Sequence, residues 1–391
     1  MALTKTHNRM IAGSAVNVLD YGADPTGTDD STAAIQAAID ASSDVYIPEG
    51  DYLVTSQITI GSRTHISGAS RTNTNTGGTR IKTSNAIVIF YISGDHNKIE
   101  NLQMRGFNAG ATAIRIGDRA LSGDKADRNF LENIMVTGAL STGISLERGN
   151  YNQLQNITVQ ECETYGIAIR ASYDNDSNAN VIVGAHLGNC ENAGGTGIGF
   201  FVESGTAISL PDNNPFGTVV TGMYIENGDT GVYFGGEQSY LQIDTETNTT
   251  PWTIDVGSKG GNILIDNRQG DPNTNSYGNN VTFTGDGFSG RMEGKFVDVL
   301  HEDDEGGTLN VGEGNTAIVT NDSGATASYF VKDDGFVAGE KITVINSVDS
   351  GHSIILKDKD TAATIVGSIA VGDAVLLVRS EKTTGTLWYQ I

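Results

Sequence analysis

Acidic side chains recur near the ends of short apolar strand patterns in the middle of the chain. Glu147 and Glu203 each follow such a pattern directly, and Asp174 and Asp176 lie in the segment after another. Two carboxyl groups hydrolyse glycosidic bonds when they stand about 5–5.5 Å apart (retention of configuration) or about 6.5–9.5 Å apart (inversion). We predict Glu147 and Glu203 as the leading catalytic pair, with Asp174 and Asp176 next. For any one of these carboxylates, the alternative is a solvated surface charge.

The same segments carry side chains that suit sugar binding. Aromatic rings offer flat apolar faces to a ligand, and a guanidinium group binds a carboxylate through parallel hydrogen bonds. On this basis Arg170 is predicted to meet the carboxylate of an acidic sugar. The predicted substrate-binding residues are Arg170, Phe201, Tyr233, Trp252 and Asp255.

The composition excludes several classes of function. The 391 residues carry a net charge of −23, whereas binding to nucleic-acid phosphates needs clustered Lys and Arg. No run approaches 18 apolar residues, so no membrane insertion is predicted. The start, MALTKTHNRMIAGS, lacks the apolar core of a secretion signal, and no cleaved signal is predicted. With 50 glycines and 38% hydrophobic residues, the chain favours a thin core of many short strands.

A repeated pattern positions the candidate residues. Its first half is an Asn followed by alternating apolar residues around a middle Asn or Gly, as in NKIENLQM from Asn97 and NFLENIMV from Asn129. Five copies keep the chemistry of each column. The middle column is Asn101, Asn133, Asn156, Gly184 and Gly222. We predict that this column stacks at a tight turn, with amides bonded from copy to copy, and that its role is structural.

A second strand pattern follows each copy, for example TGISLE at 142 and YGIAIR at 165. Period-two alternation places Ile144, Leu146, Ile167 and Ile169 inside. Because no helical period separates the strands, the copies should stack as coils that each contact only their neighbours. The sequence therefore predicts an all-β parallel β-helix, with the candidate site on the outward face of the second sheet.

The coils differ in length at one turn. Successive middle-column positions are separated by 32, 23, 28 and 38 residues, and the excess over 23 falls just after the second strand. The extra residues lie within 117–128, 171–179 and 202–217. Insertions at one turn should stack into a wall beside the sheet, so we expect a groove along the helix axis that suits a chain-like ligand.

Two further predictions test the register of the coils. Cys162 and Cys190 each lie six residues after a middle-column position, so they should stack about 5 Å apart on adjacent coils. Free thiols are favoured over a disulfide, which that distance would permit, because the sequence shows no route to an oxidising compartment. His186 is predicted to be a core histidine.

The entry to the repeats contains the pieces NVLDYGA, DPTGTDD, STAAIQAAID and VYIPEGDY, within residues 16–52. These pieces resemble the entry of the pectate-lyase-like β-helix superfamily, found in phage tailspikes and some secreted glucanases. The resemblance implies a right-handed, single-stranded parallel β-helix closed by a short N-terminal capping helix. Thr28 or Asp29 is predicted to cap that helix. Asp24, Asp29 and Asp30 are therefore interpreted as turn and cap residues rather than catalytic ones.

Three parts of the chain are predicted. Residues 1–16 are a lead-in or attachment segment, whose THNRMIAGS is similar to the lead-in of many phage tailspikes. Residues 17–298 form the β-helix. Residues 299–391, which include near their start the acidic linker stretch HEDDEGG, form a small C-terminal β-sandwich with KITVINSVDSGHSIILKD and DAVLLVRSEKTTGTLWYQI as hairpins. The resemblance to tailspike-type chains implies trimerisation or glycan contact for this last part.

The resemblance and the carboxylate-bearing groove together favour a phage tailspike depolymerase. Such a protein hydrolyses glycosidic bonds of a bacterial surface polysaccharide, a capsule or an O-antigen. Two alternatives stay open: a receptor-binding protein that holds the glycan uncut, and a polysaccharide lyase, for which Ca²⁺ is a possible cofactor. No cofactor or metal is otherwise predicted. The expected partners are the polysaccharide, further copies of the chain in a homotrimer, and a phage tail or baseplate protein, with the protein located in the virion tail.

Overall fold

The structure is a computed structural model of the chain. It describes residues 14–71, 77–119, 125–138, 140–172, 177–191, 194–204, 214–246, 248, 250–255 and 259–267, followed by the later strands named below and residue 370.

Short strands dominate the chain, with one α-helix near the start. In chain order the first elements are β1 Val16–Asn17, a 3₁₀ helix Val18–Tyr21, β2 Thr26–Asp30, α1 Thr32–Ala41, β3 Asp44–Ile47, β4 Gly50–Leu53, β5 Ile58–Ile60, β6 His65–Gly68, β7 Thr79–Thr83, β8 Val88–Ile92, β9 Lys98–Gly106, β10 Thr112–Ile116, β11 Phe130–Thr137, β12 Leu140–Leu146, β13 Gln153–Gln160, β14 Cys162–Ile169, β15 Val181–Gly188 and β16 Ile198–Val202. The later strands are β17 Val219–Glu226, β18 Thr230–Phe234, β19 Ser239–Glu246, β20 Thr250–Asp255, β21 Lys259–Asn267, β22 Val281–Thr284, β23 Ser289–Gly294, β24 Thr308–Leu309, β25 Thr316–Val319, β26 Ala327–Val331, β27 Lys341–Asn346, β28 Ile354–Asp358, β29 Thr364–Ile369, β30 Ala374–Arg379 and β31 Trp388–Gln390.

Most of these strands lie in two large sheets. Sheet A has 14 strands and follows the order β1-β3-β6-β9-β11-β13-β15-β17-β19-β21-β23, with β2, β4 and β7 joined near its start. Sheet B has nine strands in the order β5-β8-β10-β12-β14-β16-β18-β20-β22. From β8 to β23 the chain alternates between the sheets, and every strand pairs in parallel with its counterpart one coil away. The predicted parallel β-helix is confirmed.

The register of sheet B stacks the predicted inward residues on one another. Ile114 pairs with Ile144, Ile144 with Ile167, and the column continues through Phe200 and Val232. All five side chains are buried. Full burial of such a side chain stabilises the fold by roughly 1.5–3 kcal/mol relative to exposure. Each coil thus extends one continuous apolar column.

The middle column of the repeat forms an amide ladder at a bend within sheet A. Asn101, Asn133 and Asn156 have φ values of 59°, 54° and 53°, in the left-handed region that Asn and Gly adopt most readily. Asn133 Nδ2 donates to Asn101 Oδ1 over 2.7 Å, and Asn156 Nδ2 donates to Asn133 Oδ1 over 3.1 Å. Gly184 and Gly222 continue the column with φ values of 64° and 63°. The structural role predicted for this column is confirmed.

A second amide ladder, at the first Asn of each copy, lies in the interior. Asn97, Asn129, Asn152 and Asn180 are at most 2% exposed. Each backbone N–H and each side-chain Nδ2 of the first three donates to the Oδ1 of the next, over 2.9–3.1 Å. These bonds satisfy polar groups that would otherwise be buried without partners, which costs about 1–3 kcal/mol for each group. The ladder therefore fixes how successive coils enter sheet A.

The capping helix α1 is present, but its start differs from the prediction. Thr28 and Asp29 lie in the extended strand β2, and Ser31 occupies the N-cap position. Thr28 and Asp29 are not cap residues because their N–H groups donate to the Asp24 carboxylate, each over 2.8 Å. Those hydrogen bonds lower the pKa of Asp24. Asp30 accepts from the backbone N–H of Thr32, so Asp24 and Asp30 hold the local backbone, as predicted.

Cys162 and Cys190 are both buried and free, and they stack on adjacent coils as the register predicts. The hydrogen bond between the two sulfurs, together with burial, raises the pKa of the Cys162 thiol. Because the thiolate is the reactive form, we expect neither cysteine of the native protein to react with DTNB at pH 8, and both to react in 6 M guanidinium. Rapid labelling of the native protein would contradict this packing.

The C-terminal strands form two further sheets of four strands each, in the orders β24-β26-β28-β29 and β25-β27-β30-β31. The predicted hairpin at the C-terminus is present as the antiparallel pair β30–β31. The other predicted hairpin is wrong, because β27 pairs with β25 and β30 while β28 pairs with β26 and β29. Residues 295–307, which include the predicted domain boundary, and residues 1–13 of the predicted lead-in lie outside the described residues.

Candidate functional site

Three predicted site residues occupy one position on successive coils, just past the carboxyl end of sheet B. Strands β12, β14 and β16 end at Leu146, Ile169 and Val202, and Glu147, Arg170 and Glu203 follow them. Their backbone N–H groups continue the ladder: that of Arg170 donates to Leu146 O over 2.7 Å, and that of Glu203 donates to Ile169 O over 2.9 Å. Glu147 and Glu203 thus stand two coils apart, about 9.6 Å by strand spacing, with Arg170 between them.

Glu203 is surrounded by donors. Arg119 Nη1 contacts its Oε2 at 2.5 Å, Arg170 Nη1 contacts its Oε1 at 3.4 Å, and the backbone N–H of Ala171 donates to Oε2 over 3.2 Å. Its side chain is only 9% exposed. A buried carboxylate is stable when its lone pairs are used in this way. Both oxygens of Glu203 are committed to holding two arginines at the edge of the sheet.

Glu147 has a different environment. It is half-buried, and its Oε1 accepts a hydrogen bond from the Ser145 hydroxyl over 3.2 Å. Burial raises the pKa of Glu147; the charge of Asp118 raises it further, while Arg115, Ser145 and Arg119 lower it in part. A carboxyl group whose pKa is raised in this way is suited to act as a general acid.

Asp118 is a functional candidate that the sequence did not single out. It lies two residues beyond β10 on the coil next to Glu147, is buried, and binds Arg115 through an Nη2–Oδ2 contact of 3.2 Å. Arg119, which follows it, binds Glu203. Both residues belong to the insertion 117–128. The signal that could have identified them is their position within three residues of the end of a sheet B strand, close to where Glu147 and Glu203 stand on their own coils.

Aromatic rings line the outward face of sheet B. Phe201 lies between Tyr165 and Tyr233, with centroids 4.5 and 5.0 Å away. The guanidinium of Arg170 covers Tyr165 and Phe201 at 4.4 and 5.1 Å from the ring centroids. Phe201 is consequently only 8% exposed, while Tyr165 and Tyr233 are half-buried. Of these rings, the two tyrosines present surface to a ligand. A fourth ring, Tyr91, lies under Arg115, 4.6 Å away.

Four other predicted site residues lie in the segment that follows β14 and on strand β20. Asp174 and Asp176 lie outside the described residues. Trp252 and Asp255 lie in strand β20, where Trp252 pairs with Val232 and Asp255 ends the strand; only their backbone is described. Asp255 thus shares the sheet edge with Glu147 and Glu203.

His186 was predicted to lie in the core, and this prediction is wrong. Its side chain is 38% exposed, and its Nε2 lies 3.0 Å from Glu226 Oε1. Ala185 and Leu187 occupy the interior on either side of it. The alternation of the strand therefore turns His186 outward, next to Tyr224 with ring centroids 5.4 Å apart.

No three His, Cys, Asp or Glu side chains of the described part converge in a group that could hold a metal ion. No helix in that part is long and apolar enough to cross a membrane. The predictions on cofactors, including calcium, stay predictions.

Part of the chain is similar in sequence to a known protein family. Residues 15–88 match a family model described as rhamnogalacturonase A/epimerase, pectate lyase-like. No curated protein matches the sequence of the chain.

Solved structures match the fold over most of the chain. ORF18 of Geobacillus virus E2 matches 96% of this chain and 76% of its own, with a TM-score of 0.51 and 16% identity. The catalytic unit of a GH87 alpha-1,3-glucanase from Streptomyces thermodiastaticus matches 90% of this chain and 67% of its own, with a TM-score of 0.51 and 14% identity. DFA-IIIase from Arthrobacter chlorophenolicus, in complex with DFA-III, matches 91% of this chain and 90% of its own, with a TM-score of 0.51 and 15% identity. These matches agree with the fold of the chain, a right-handed parallel β-helix, and residues 15–88 are similar to the pectate-lyase-like family.

Proposed function

We propose that this protein is a polysaccharide depolymerase that hydrolyses glycosidic bonds at the carboxyl edge of sheet B. The observation that carries the proposal is the half-buried Glu147, whose carboxyl group has a raised pKa and lies beside a second carboxylate, Asp118, on the adjacent coil. Glycosidases use such a pair, one member protonated and the other ionised.

Glu147 acts as the general acid and donates its proton to the oxygen of the leaving sugar. Asp118, held by Arg115, is the ionised partner. Strands of adjacent coils are about 4.8 Å apart. Asp118 lies one residue beyond the position opposite Glu147, and we assign the pair to the shorter separation, that of retaining enzymes. Asp118 then attacks the anomeric carbon, and Glu147, now deprotonated, activates the water that releases the covalent intermediate.

Glu203 serves as a positioning residue rather than as the second catalytic carboxylate. Its two oxygens accept from Arg119, Arg170 and the Ala171 N–H, so it holds two arginines over the groove instead of activating a water. Arg170, Tyr165 and Tyr233 then form the surface on which the sugar chain lies.

The proposed setting is a phage tail. The structural match to a viral protein across 96% of the chain supports this setting. The match to an alpha-1,3-glucanase supports a polysaccharide as the substrate. The substrate would be a bacterial surface polysaccharide, a capsule or an O-antigen. The working form would be a homotrimer attached to a tail or baseplate protein.

Purified protein is expected to release reducing ends from at least one member of a panel of bacterial capsular polysaccharides and O-antigens. Absorbance near the unsaturated-uronate band should stay flat, because hydrolysis adds water and forms no double bond. A rise in that absorbance would indicate a lyase. Binding of intact polysaccharide without products would indicate a receptor-binding protein.

The stereochemistry of the first product separates the possible carboxylate pairs. NMR of the newly formed anomeric centre should show retention if Asp118 and Glu147 act together. Inversion would instead favour Glu147 with Glu203, whose separation of two coils approaches the inverting range.

A further inference from the structure

A concave pocket lies where the chain turns from sheet B into sheet A, beyond the carboxyl edge of sheet B. Its volume is about 480 Å³, within the range of ligand pockets. The lining residues are Arg128, Asn129, Phe130, Tyr151 and Gln153. Tyr151 follows Glu147 by four residues, so the two lie at most about 14 Å apart along the backbone. The pocket is separate from the carboxylates and arginines of the proposed site.

The backbone at this turn is in the left-handed region on each of seven coils. The equivalent positions carry φ values of 45–66° and are Arg63, His96, Arg128, Tyr151, Ala179, Gly217 and Gln238. Hydrogen bonds from one turn to the next hold this conformation, for example Arg128 N to Asn150 O and Tyr151 N to Asn178 O. Gly or Asn would meet the demand at least cost. Most of the coils nevertheless carry a non-glycine residue there, and Tyr151 is the bulkiest of them. The strain is therefore shared along the turn, and what distinguishes Tyr151 is its large ring.

The Tyr151 side chain is presented for contact. It is 52% exposed, the second most exposed of the large hydrophobic side chains described. The Arg128 guanidinium lies 5.2 Å from its ring centroid, which fixes the orientation of the ring. Phe130, half-buried with Lys98 at 5.6 Å from its ring, adds a second aromatic wall.

The chemistry of the lining suits a saccharide. Two aromatic rings supply apolar faces, while Gln153, which is exposed, and Arg128 supply hydrogen-bond donors and an acceptor. The net charge of −23 disfavours a nucleic acid as the ligand that stacks on these rings.

We infer that the Tyr151 pocket is a second saccharide-binding site, which holds sugar units of the polysaccharide outside the catalytic groove. It keeps the protein on a long polymer without taking part in bond cleavage. The ligand class rests on the proposed function, whereas the site and its residues do not.

The test uses full-length Glu147→Gln protein, so that binding is measured without cleavage, on immobilised capsular polysaccharides and O-antigens. Tyr151→Asn, which suits the left-handed backbone but removes the ring, is expected to lower the affinity about tenfold and to leave the thermal midpoint unchanged or raised. Tyr151→Phe should keep the affinity within about twofold. In the otherwise native protein, Tyr151→Asn should raise KM for the polymer and leave kcat on short oligosaccharides unchanged.

Ala179→Gly is the matched control, since Ala179 occupies the same turn position on the next coil. It should raise the thermal midpoint without changing affinity. Unchanged polysaccharide affinity in Tyr151→Asn would overturn the inference, and so would an absence of binding across the whole panel. If Tyr151→Asn loses binding while the native protein releases no reducing ends from any polysaccharide, the second site stands and the proposed hydrolysis fails.

Discussion

Glu147→Gln is expected to lower kcat for polysaccharide hydrolysis by about 10³-fold, which corresponds to ~4 kcal/mol in activation free energy. Glutamine keeps the shape of the side chain and can still accept from the Ser145 hydroxyl, but it has no proton to give to the leaving oxygen. Polysaccharide binding and the thermal midpoint should therefore stay close to those of the native protein. Reducing-end release and calorimetric binding on the same preparation measure both quantities.

The matched control for this substitution is Glu132→Gln. Glu132 lies on sheet A and pairs with Lys98 at 3.0 Å, away from the proposed groove. Loss of the Glu132 charge should change the rate of hydrolysis by less than about twofold, because a surface ion pair contributes little to the stability of the fold. If Glu147→Gln retained more than a tenth of native activity, Glu147 would not be the general acid.

The pH dependence of hydrolysis follows from the environment of Glu147. Burial and Asp118 raise the pKa of Glu147, so its protonated form persists above the ordinary range of a glutamic acid. The acid must be protonated to act, and kcat/KM should fall as pH rises through that raised pKa. Ser145→Ala removes a hydrogen bond that lowers the pKa; the alkaline limb should then move to higher pH. A limb that moves to lower pH would contradict this account.

Asn152→Ala is expected to destabilise the fold by about 3–5 kcal/mol. The Oδ1 of Asn152 accepts from both the backbone N–H and the Nδ2 of Asn129, over 2.9 and 3.0 Å, and all of these groups are buried. Alanine would leave two buried donors without partners and would also remove the bond from Asn152 Nδ2 to Asn180. Urea unfolding followed by circular dichroism should show a clearly lower midpoint.

Asn156→Gly provides the comparison within the exposed ladder of the same coil. Asn156 has a φ of 53°, which glycine adopts freely. Its amide is exposed, so water can replace the bonds that it makes with Asn133 and Arg71. We expect a cost below about 1 kcal/mol. Equal effects of the two substitutions would show that the inner ladder does not hold the coils together in the manner inferred.

Much of the fold follows from local pattern, and the sequence was sufficient to predict it. Strand alternation has a period of two, so apolar columns such as Ile144 and Ile167 determine which face is inside and how coils align. The Asn or Gly column predicts a left-handed bend because these two residue types adopt positive φ more readily than the others do. The cysteine register follows from the same count. The pairing of β27 does not, because β27 pairs with β25 and β30 instead of with β28, the strand that follows it in the sequence.

The candidate site was predictable only in part. The repeat predicts where each sheet B strand ends, and Glu147, Arg170 and Glu203 could therefore be identified as the residues that follow those strands. The ion-pair partners of these residues could not be predicted from the sequence. Arg119 binds Glu203 from a loop 84 residues earlier, and that loop has no periodic pattern.

By itself, the sequence determined the coils, their register, and the residues that stand at the edge of sheet B. Tertiary structure alone decided which carboxyl group is neutralised by arginines and which is buried beside another acid. It also decided that Phe201 is covered by its neighbours and that Tyr151 is strained and exposed. The physical reason is that charge compensation and burial depend on side chains from different coils, which approach one another only when the helix is stacked.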